Sequence, residues 1–309
     1  MRVSIIMPAW NAARWIGAAI GSVLAQTHRD WRLVVVDDGS TDTTAAVAAG
    51  FDDVQIALIR QPHTGVAAAR NAGIAAGLDA AVLFLDADDR LAPDALARLV
   101  AALNEAPHAV AACGGYTFED MGVSRAPLAG DLLERLLIGN VFANGGHLLL
   151  RGAAVRRAGG FVPGIAYGED WEFWIRIALQ GPFVAVRDTA PALHIRQHPT
   201  GAYQRLAADP AAFEPCMRAI FNNPALLARF GHDRLAAIRR QAVAESHWVI
   251  GREQFRHGRT AEGLRRMRVA LLAHPSLRRA MLLAAAHMLR ALPPAARGRL
   301  RPYTSGPSH

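Results

Sequence analysis

Acidic residues in this 309-residue chain gather at a few points, with spacings that could hold a cation or move a proton. Asp86-Ala87-Asp88-Asp89 places three carboxylates within four residues, directly after the apolar run at 81–85. Hard oxygen ligands of this kind suit Mg2+ or Mn2+, which often take one or two carboxylates and complete their shell with phosphate and water. Asp37-Asp38 ends a second apolar run, at 33–36. Each cluster could also be a solvated turn, because Asp and Gly are common turn residues. Glu169-Asp170 opens an amphipathic stretch, where a carboxylate either acts as a general base or caps the helix. Arg70 carries a charge that is never lost, as a diphosphate or base contact requires, but a surface helix arginine has the same appearance. No Ser/His or Cys/His constellation suggests a covalent nucleophile.

The elements that must position these groups follow from periodicity. Residues 3–7 are a continuous apolar run ending at Pro8, which reads as a buried strand. Residues 14–25 place Trp15, Ile16, Ala19, Ile20, Val23 and Leu24 at helical spacing. Strands are expected at 33–36, 54–59 and 81–85, with helices at 41–49 and 65–76 between them. This alternation predicts an α/β fold with a mostly parallel central sheet and helices on both faces. Ligands in such sheets lie outside the carboxyl ends of the strands, so two strands ending in acids point to one site. Beyond Cys113 the rhythm loosens. A loop and short helix are expected over 120–136, strands at 147–151 and 183–186, and a helix over 170–179. From about residue 206 the chain reads as helix, with breaks near Pro224, Gly231 and Pro275.

Composition restricts the function classes. The chain is 52% hydrophobic, ample for a core, and no apolar run reaches the roughly 18–20 residues of a membrane span. The N-terminal apolar stretch is too short for a signal peptide, and Cys113 and Cys216 lack the spacing of a metal site. A cytoplasmic location is expected. The net charge of +8 is unevenly distributed, and every one of the 34 basic residues is arginine. Residues 1–202 hold 16 Arg and 20 Asp or Glu, whereas residues 203–309 hold 18 Arg and 6 acids. The basic character belongs to the C-terminal region, so nucleic acid is not the expected partner. Nine arginines and no acid follow Glu262. A basic amphipathic segment there could lie peripherally on the cytoplasmic face of a membrane or be a packed helical appendage.

Several segments together carry a family resemblance. Val3-Ser4-Ile5-Ile6-Met7-Pro8-Ala9-Trp10-Asn11, Ser22 to Thr27, and Val34-Val35-Val36-Asp37-Asp38-Gly39-Ser40-Thr41-Asp42 resemble the opening of family 2 glycosyltransferases. Gly65 with Ala69-Arg70-Asn71-Ala72-Gly73, then Leu83 to Asp89, then Gly168-Glu169-Asp170-Trp171-Glu172, follow in the family's order. The resemblance covers roughly residues 1–200. It implies a GT-A fold, Rossmann-like, over residues 1–205, with a nucleotide-binding half at about 1–115 and an acceptor half at about 116–205. A helical, Arg-rich region, 206–309, lies outside it. The position before Asn11 is often tyrosine in the family and is Trp10 here.

The resemblance also implies roles. The donor is a UDP-, GDP- or dTDP-sugar, and the acceptor is a carbohydrate or lipid-linked molecule in cell-surface polysaccharide or glycoconjugate synthesis. Pro8, Ala9 and Trp10 line the nucleotide, Asp38 reads the base, Asp37 supports the ribose, and Arg70 contacts the diphosphate or base. Asp88 is the better candidate for Mn2+ or Mg2+; Asp86 serves the ribose or the metal, and Asp89 could take either role. His198 stands where an extra metal or phosphate contact falls. Asp170 is the general base and Glu169 the fallback, in a single displacement that inverts the anomeric carbon. The competing reading is a catalytically silent transferase-like scaffold acting through its basic region. A nucleotidyltransferase would want a Gly-rich N-terminal loop and a lysine, and a dinucleotide enzyme G-x-G-x-x-G after the first strand; neither is present.

Overall fold

A computed structural model describes residues 1–188, 190–196 and 210–291. The chain divides into two bodies, one of residues 1–133 and 142–197, the other of 134–141 and 198–309. In the first body β1 (Val3–Ala9), β2 (Trp31–Asp38), β3 (Ile56–Gln61) and β4 (Ala81–Phe84) alternate with α1 (Ile16–Leu24), α2 (Thr44–Ala49) and α3 (Val66–Ala75). β5 (Arg90–Leu91), α4 (Ala95–Glu105), β6 (Ala111–Cys113), β7 (Gly115–Phe118) and β8 (Val123–Arg125) follow. The short α5 (Leu133–Ile138) falls almost wholly in the second body. The first body is completed by β9 (Leu148–Arg151), α6 (Gly152–Ala158), α7 (Glu169–Ala178), β10 (Phe183–Ala185) and β11 (Pro191–Ile195).

Seven strands form the main sheet in the order β10-β6-β9-β4-β1-β2-β3, and β9 runs antiparallel to its neighbours β4 and β6. Every residue of β1 is buried, as a central strand covered on both faces must be. Alternation sends Val3, Ile5 and Met7 into one core with Ile16, Ile20 and Val23 of α1 and Leu96, Leu99 and Leu103 of α4. The opposite face packs Val34 and Val36 against Ala69 of α3. A Cβ at Gly73 would lie 2.3 Å from Ile6 Cγ2, so this helix reaches the sheet only because position 73 has no side chain. Removing one such aliphatic side chain from water contributes about 1.5–3 kcal/mol, which makes this double cover the main source of the sheet's stability.

β4, β1, β2 and β3 are mutually parallel, so their carboxyl ends share one edge. The register pairs Ala9 with Asp37 and Asp38 with Gln61, placing the loop residues that follow side by side. A second sheet, β5-β11-β7-β8, was not foreseen from the sequence, and neither was α4. Strands of two to five residues hold too few alternations to signal themselves. Of the loop and short helix expected over 120–136, the helix is present as α5, and the segment ahead of it holds a 3₁₀ turn (Glu119–Met121) and the unforeseen β8.

The second body is helical among its described residues: α5, a 3₁₀ turn (Pro210–Phe213), α8 (Glu214–Phe221), α9 (Pro224–Arg256), α10 (Thr260–Ala273) and α11 (Leu277–Ala291). Asn223 caps α9 by accepting from Ala225 N at 3.0 Å, with Pro224 in the first turn, and Gly231 (φ 71°) interrupts the helical backbone. Pro275 lies between α10 and α11, while the turn around Gly258 had no counterpart among the expected breaks. Trp248 anchors the core with Leu264, Met267 and Ala270 of α10 and Leu283 and Ala286 of α11.

Candidate active site

The acids at the shared strand edge differ in their surroundings. Asp38 is buried, and its carboxylate is held by the end of β3 and the loop that follows: Gln61 Nε2 at 2.7 Å, Thr64 N at 3.0 Å, Gly65 N at 2.8 Å and His63 Nδ1 at 2.8 Å. Burial works to raise its pKa, but the hydrogen bonds and the His63 ring outweigh it and hold Asp38 below the usual carboxylate range. Asp37 accepts from Ser40 N at 3.3 Å through one oxygen, while the other is buried with no hydrogen bond and has Arg60 Nε 3.5 Å away. Pro8 and Ala9 end β1, buried beside this pair. Trp10 stands half exposed just beyond them, its ring stacked on His63 with centroids 4.5 Å apart and planes 19° apart. Asn11 joins the neighbouring loops, donating from its N–H to Ser40 Oγ at 2.9 Å and accepting from Thr41 N at 2.9 Å.

Two strands along the same edge, roughly 10 Å at ordinary sheet spacing, stand Asp86, Asp88 and Asp89. Asp89 is buried, accepting from Asn144 Nδ2 at 2.5 Å and Arg196 N at 3.0 Å. Burial, then the charges of Asp88 and Asp86, push its pKa well above the usual range. Asp86 and Asp88 are only half buried.

Arg70, on α3, is buried and binds both sides of the site. Its Nη2 donates to Asp86 at 3.0 Å and its Nη1 to Glu169 at 2.8 Å, and its guanidinium lies over the Phe161 ring at 5.2 Å. Burial opposes the charge, but Asp86, Glu169 and Asp170 more than restore it. Glu169 and Asp170 occupy the first turn of α7, and Asp170 Oδ1 accepts from Trp171 N at 2.6 Å. Burial first, and then Glu169, push Asp170 up to about 7, with Arg70 pulling the other way. A base half-ionised near neutrality is well matched to taking a proton from a hydroxyl.

The structure therefore brings Arg70, Asp86, Glu169 and Asp170 into one contact network, with Asp88 and Asp89 adjoining in sequence and Trp10, Asp37 and Asp38 at the neighbouring strand end. His198 lies outside the described residues. His63, Gln61 and Asn144 were not singled out from the sequence; each acts through a partner 23 or more residues away, which local pattern does not reveal. A groove of about 490 Å³ lined by Ala18, Ser22, Arg90, Glu119 and His194 contains none of the candidate residues.

Asp86 and Asp88, half buried beside Asp89, whose pKa burial and their charges raise, form a donor set that a divalent cation fits, since positive charge would relieve the repulsion among the carboxylates. Among the described residues no three His, Cys, Asp or Glu side chains form a metal cage, so phosphate oxygens and water would complete the shell.

Comparison with known proteins places this geometry in context. The family model described as Glycosyl transferase family 2 matches residues 4–157. An uncharacterized glycosyltransferase of Nostoc sp. is 45% identical over 103 residues, 32% of this chain and 32% of that protein. A UDP-Glc:alpha-D-GlcNAc-diphosphoundecaprenol beta-1,3-glucosyltransferase of Escherichia coli is 43% identical over 88 residues, 28% of this chain and 35% of that protein. The matched segments thus span about a third of the length of these curated relatives. Among solved structures, S. aureus TarS (residues 1–349) in complex with UDP-GlcNAc superposes with a TM-score of 0.66 at 19% identity, covering 93% of this chain and 88% of that one. The mannosyltransferase PcManGT from Pyrobaculum calidifontis, in complex with GDP-Man and Mn2+, gives 0.58 at 21% identity, covering 98% and 84%. At these identities the likeness is one of fold.

Proposed function

Residues 4–157 belong to glycosyl transferase family 2, within an α/β body of GT-A type, and from that premise we propose that the protein transfers a sugar from a nucleoside-diphosphate donor to an acceptor hydroxyl. The observation that carries the proposal is the Arg70 bridge, which joins Asp86 on the donor edge to Glu169, next to the half-buried Asp170. A silent scaffold has no use for a buried arginine that holds two carboxylates from separate elements beside a third whose proton affinity is raised.

In the proposed reaction the nucleotide lies across the strand edge, its base near Trp10 and Asp38 and its ribose near Asp37. The backbone partners of Asp38 fix its carboxylate in place, and an N–H from the base would take the acceptor position that the exposed His63 ring occupies. Asp86 and Asp88 would hold Mn2+ or Mg2+, which supplies Lewis-acid stabilisation of charge on the diphosphate. Asp170 takes the acceptor's hydroxyl proton as that oxygen forms its bond to the anomeric carbon, and the bond to the diphosphate oxygen breaks with inversion. Because Glu169 is engaged with Arg70, Asp170 is the base of the pair. The relatives' names and titles, with UDP-Glc, UDP-GlcNAc, GDP-Man and a diphosphoundecaprenol acceptor, support a nucleotide-sugar donor and a lipid-linked or polysaccharide acceptor here.

No helix among the described residues is long and apolar enough to cross a membrane. A peripheral contact is the reading that the second body supports. Leu277, Met281, Ala284 and Met288 recur at i, i+4, i+7 and i+11 along α11, all exposed and on one side of that helix. Arg278 on α11 and Arg265 and Arg268 on α10 are exposed too, a combination suited to the cytoplasmic face of an anionic membrane.

The donor site is tested by thermal unfolding with UDP, GDP and dTDP, each with and without Mn2+. One nucleotide should stabilise the protein, by about 2.7 kcal/mol at a hundredfold excess over Kd, and more strongly with Mn2+. Asp88→Ala should lose the Mn2+ increment. No stabilisation by any nucleotide under either condition would exclude the donor site.

A further inference from the structure

Beside Arg70, α3 makes a second connection to the segment ahead of α7, and the proposed mechanism does not use it. The Asn71 side chain donates from Nδ2 to Phe161 O at 2.9 Å and accepts at Oδ1 from Phe161 N at 2.7 Å. This closes a two-bond joint between a side-chain amide and the backbone 90 residues away. The fit is close: a Cβ at Gly160 would lie 2.5 Å from Asn71 Oδ1.

The joint continues into the helix that carries the base. The Phe161 ring stacks on Phe173 of α7 with centroids 4.2 Å apart and meets Phe84 of β4 edge-on at 5.1 Å. Arg176, also on α7, donates to the backbone oxygens of Ala158 and Gly160, the latter at 2.9 Å, and lies over the Phe173 ring at 5.1 Å. Segment 158–161 is thus gripped by Asn71 on one side and by Phe173 and Arg176 on the other. Because consecutive residues of a helix face different directions, Arg70 and Asn71 hold two separate points, Glu169 in the first turn of α7 and Phe161 ahead of it.

We propose that Asn71 is a positioning residue for transfer, setting the first turn of α7, and with it Asp170, at the distance from the donor carboxylates that proton abstraction requires. The inference rests on Asp170 being the base. Neither the amide nor Phe161 need touch substrate; they act through the placement of α7. Losing the joint would leave the nucleotide edge intact, because Trp10, Asp37, Asp38, Asp86 and Asp88 belong to other strand ends. It would also open the half-buried Asp170 further to water, and its raised proton affinity depends on burial.

The test compares wild type, Asn71→Ala, Asn71→Asp and Asp170→Asn in steady-state turnover of the preferred nucleotide sugar across pH 5–9, with unfolding followed alongside. Asn71→Ala should lower kcat about a hundredfold with the donor KM little changed. Its acid-side midpoint should shift down from near 7. Asn71→Asp, which keeps the acceptor half of the joint, should fall between Asn71→Ala and wild type, and it carries the test if Asn71→Ala does not fold. The proposal is overturned if kcat and the acid-side midpoint stay at wild-type values. It is equally overturned if kcat falls with the midpoint unmoved, or if both variants fail to fold, since Asn71 would then be structural only. Full turnover by Asp170→Asn would instead remove the assignment of the base, a separate outcome.

Discussion

At the scale of the residue, the site is a contest between burial and company. Asp38 and Asp89 are withdrawn from water and Asp170 is half buried, yet of the three only Asp38 is held below the usual carboxylate range, because four groups from the end of β3 and its following loop bond to it. Asp170 has one backbone donor and an acidic neighbour, so its carboxyl keeps its proton up to about 7 while an unfolded aspartate releases it near 3.8. Between those values the unfolded state binds fewer protons than the native state, so this position costs stability as pH rises from about 4 to about 7. Asp170→Asn cannot ionise. It should match wild type near pH 4 and become progressively more stable relative to it as pH rises to about 7, with no further gain above, as read from urea midpoints at both ends; a constant difference would mean that Asp170 titrates normally. The types of these residues were legible in the sequence because two apolar runs ended in acids. Their environments were not: what sets Asp38 is chiefly Thr64 and Gln61, with Gly65 and His63 adding to them, and what sets Glu169 is an arginine 99 residues away.

Elements divided along the length of their signal. β1, β2, β4, α1 and α3 appeared within a few residues of where periodicity placed them, since each holds two or more turns or at least four buried strand positions. The second sheet could not be read, because its pairings join residues far apart and several of its strands are too short to alternate, and α6 spans only 7 residues; α4 was missed despite its 11 residues. β7, for example, pairs in parallel with β11 and β5 pairs with β11 in the opposite sense. The helix α11 was legible as a basic amphipathic segment, but the direction of its apolar stripe is a structural finding: Leu283 and Ala286 face the Trp248 core, while Leu277, at 80% exposed, and Met281 face outward. That stripe makes a prediction at its own scale. The protein should sediment with vesicles of anionic phospholipid at low salt and release them as salt rises, and Leu277→Glu with Met281→Glu should abolish the association without moving the unfolding midpoint. Equal sedimentation by the double variant would place the contact elsewhere.

For the whole molecule, one parallel edge gathers groups that the chain spreads over 160 residues: Trp10 and Asp38 at the proposed base end, Asp86 and Asp88 at the proposed diphosphate and cation end, and Arg70 linking them to Glu169-Asp170. The family match at residues 4–157 stops short of Asp170, so the base depends on this geometry more than the donor edge does. The most direct test is therefore slow Mn2+-dependent hydrolysis of a panel of nucleotide sugars, which needs no known acceptor, measured across pH for wild type and Asp170→Asn. One donor should be hydrolysed by wild type, with the rate rising through a midpoint near pH 7. Asp170→Asn should be slowed about a hundredfold or more while its nucleotide-induced stabilisation is retained. Hydrolysis of no donor, or equal rates for the two proteins, would contradict the account.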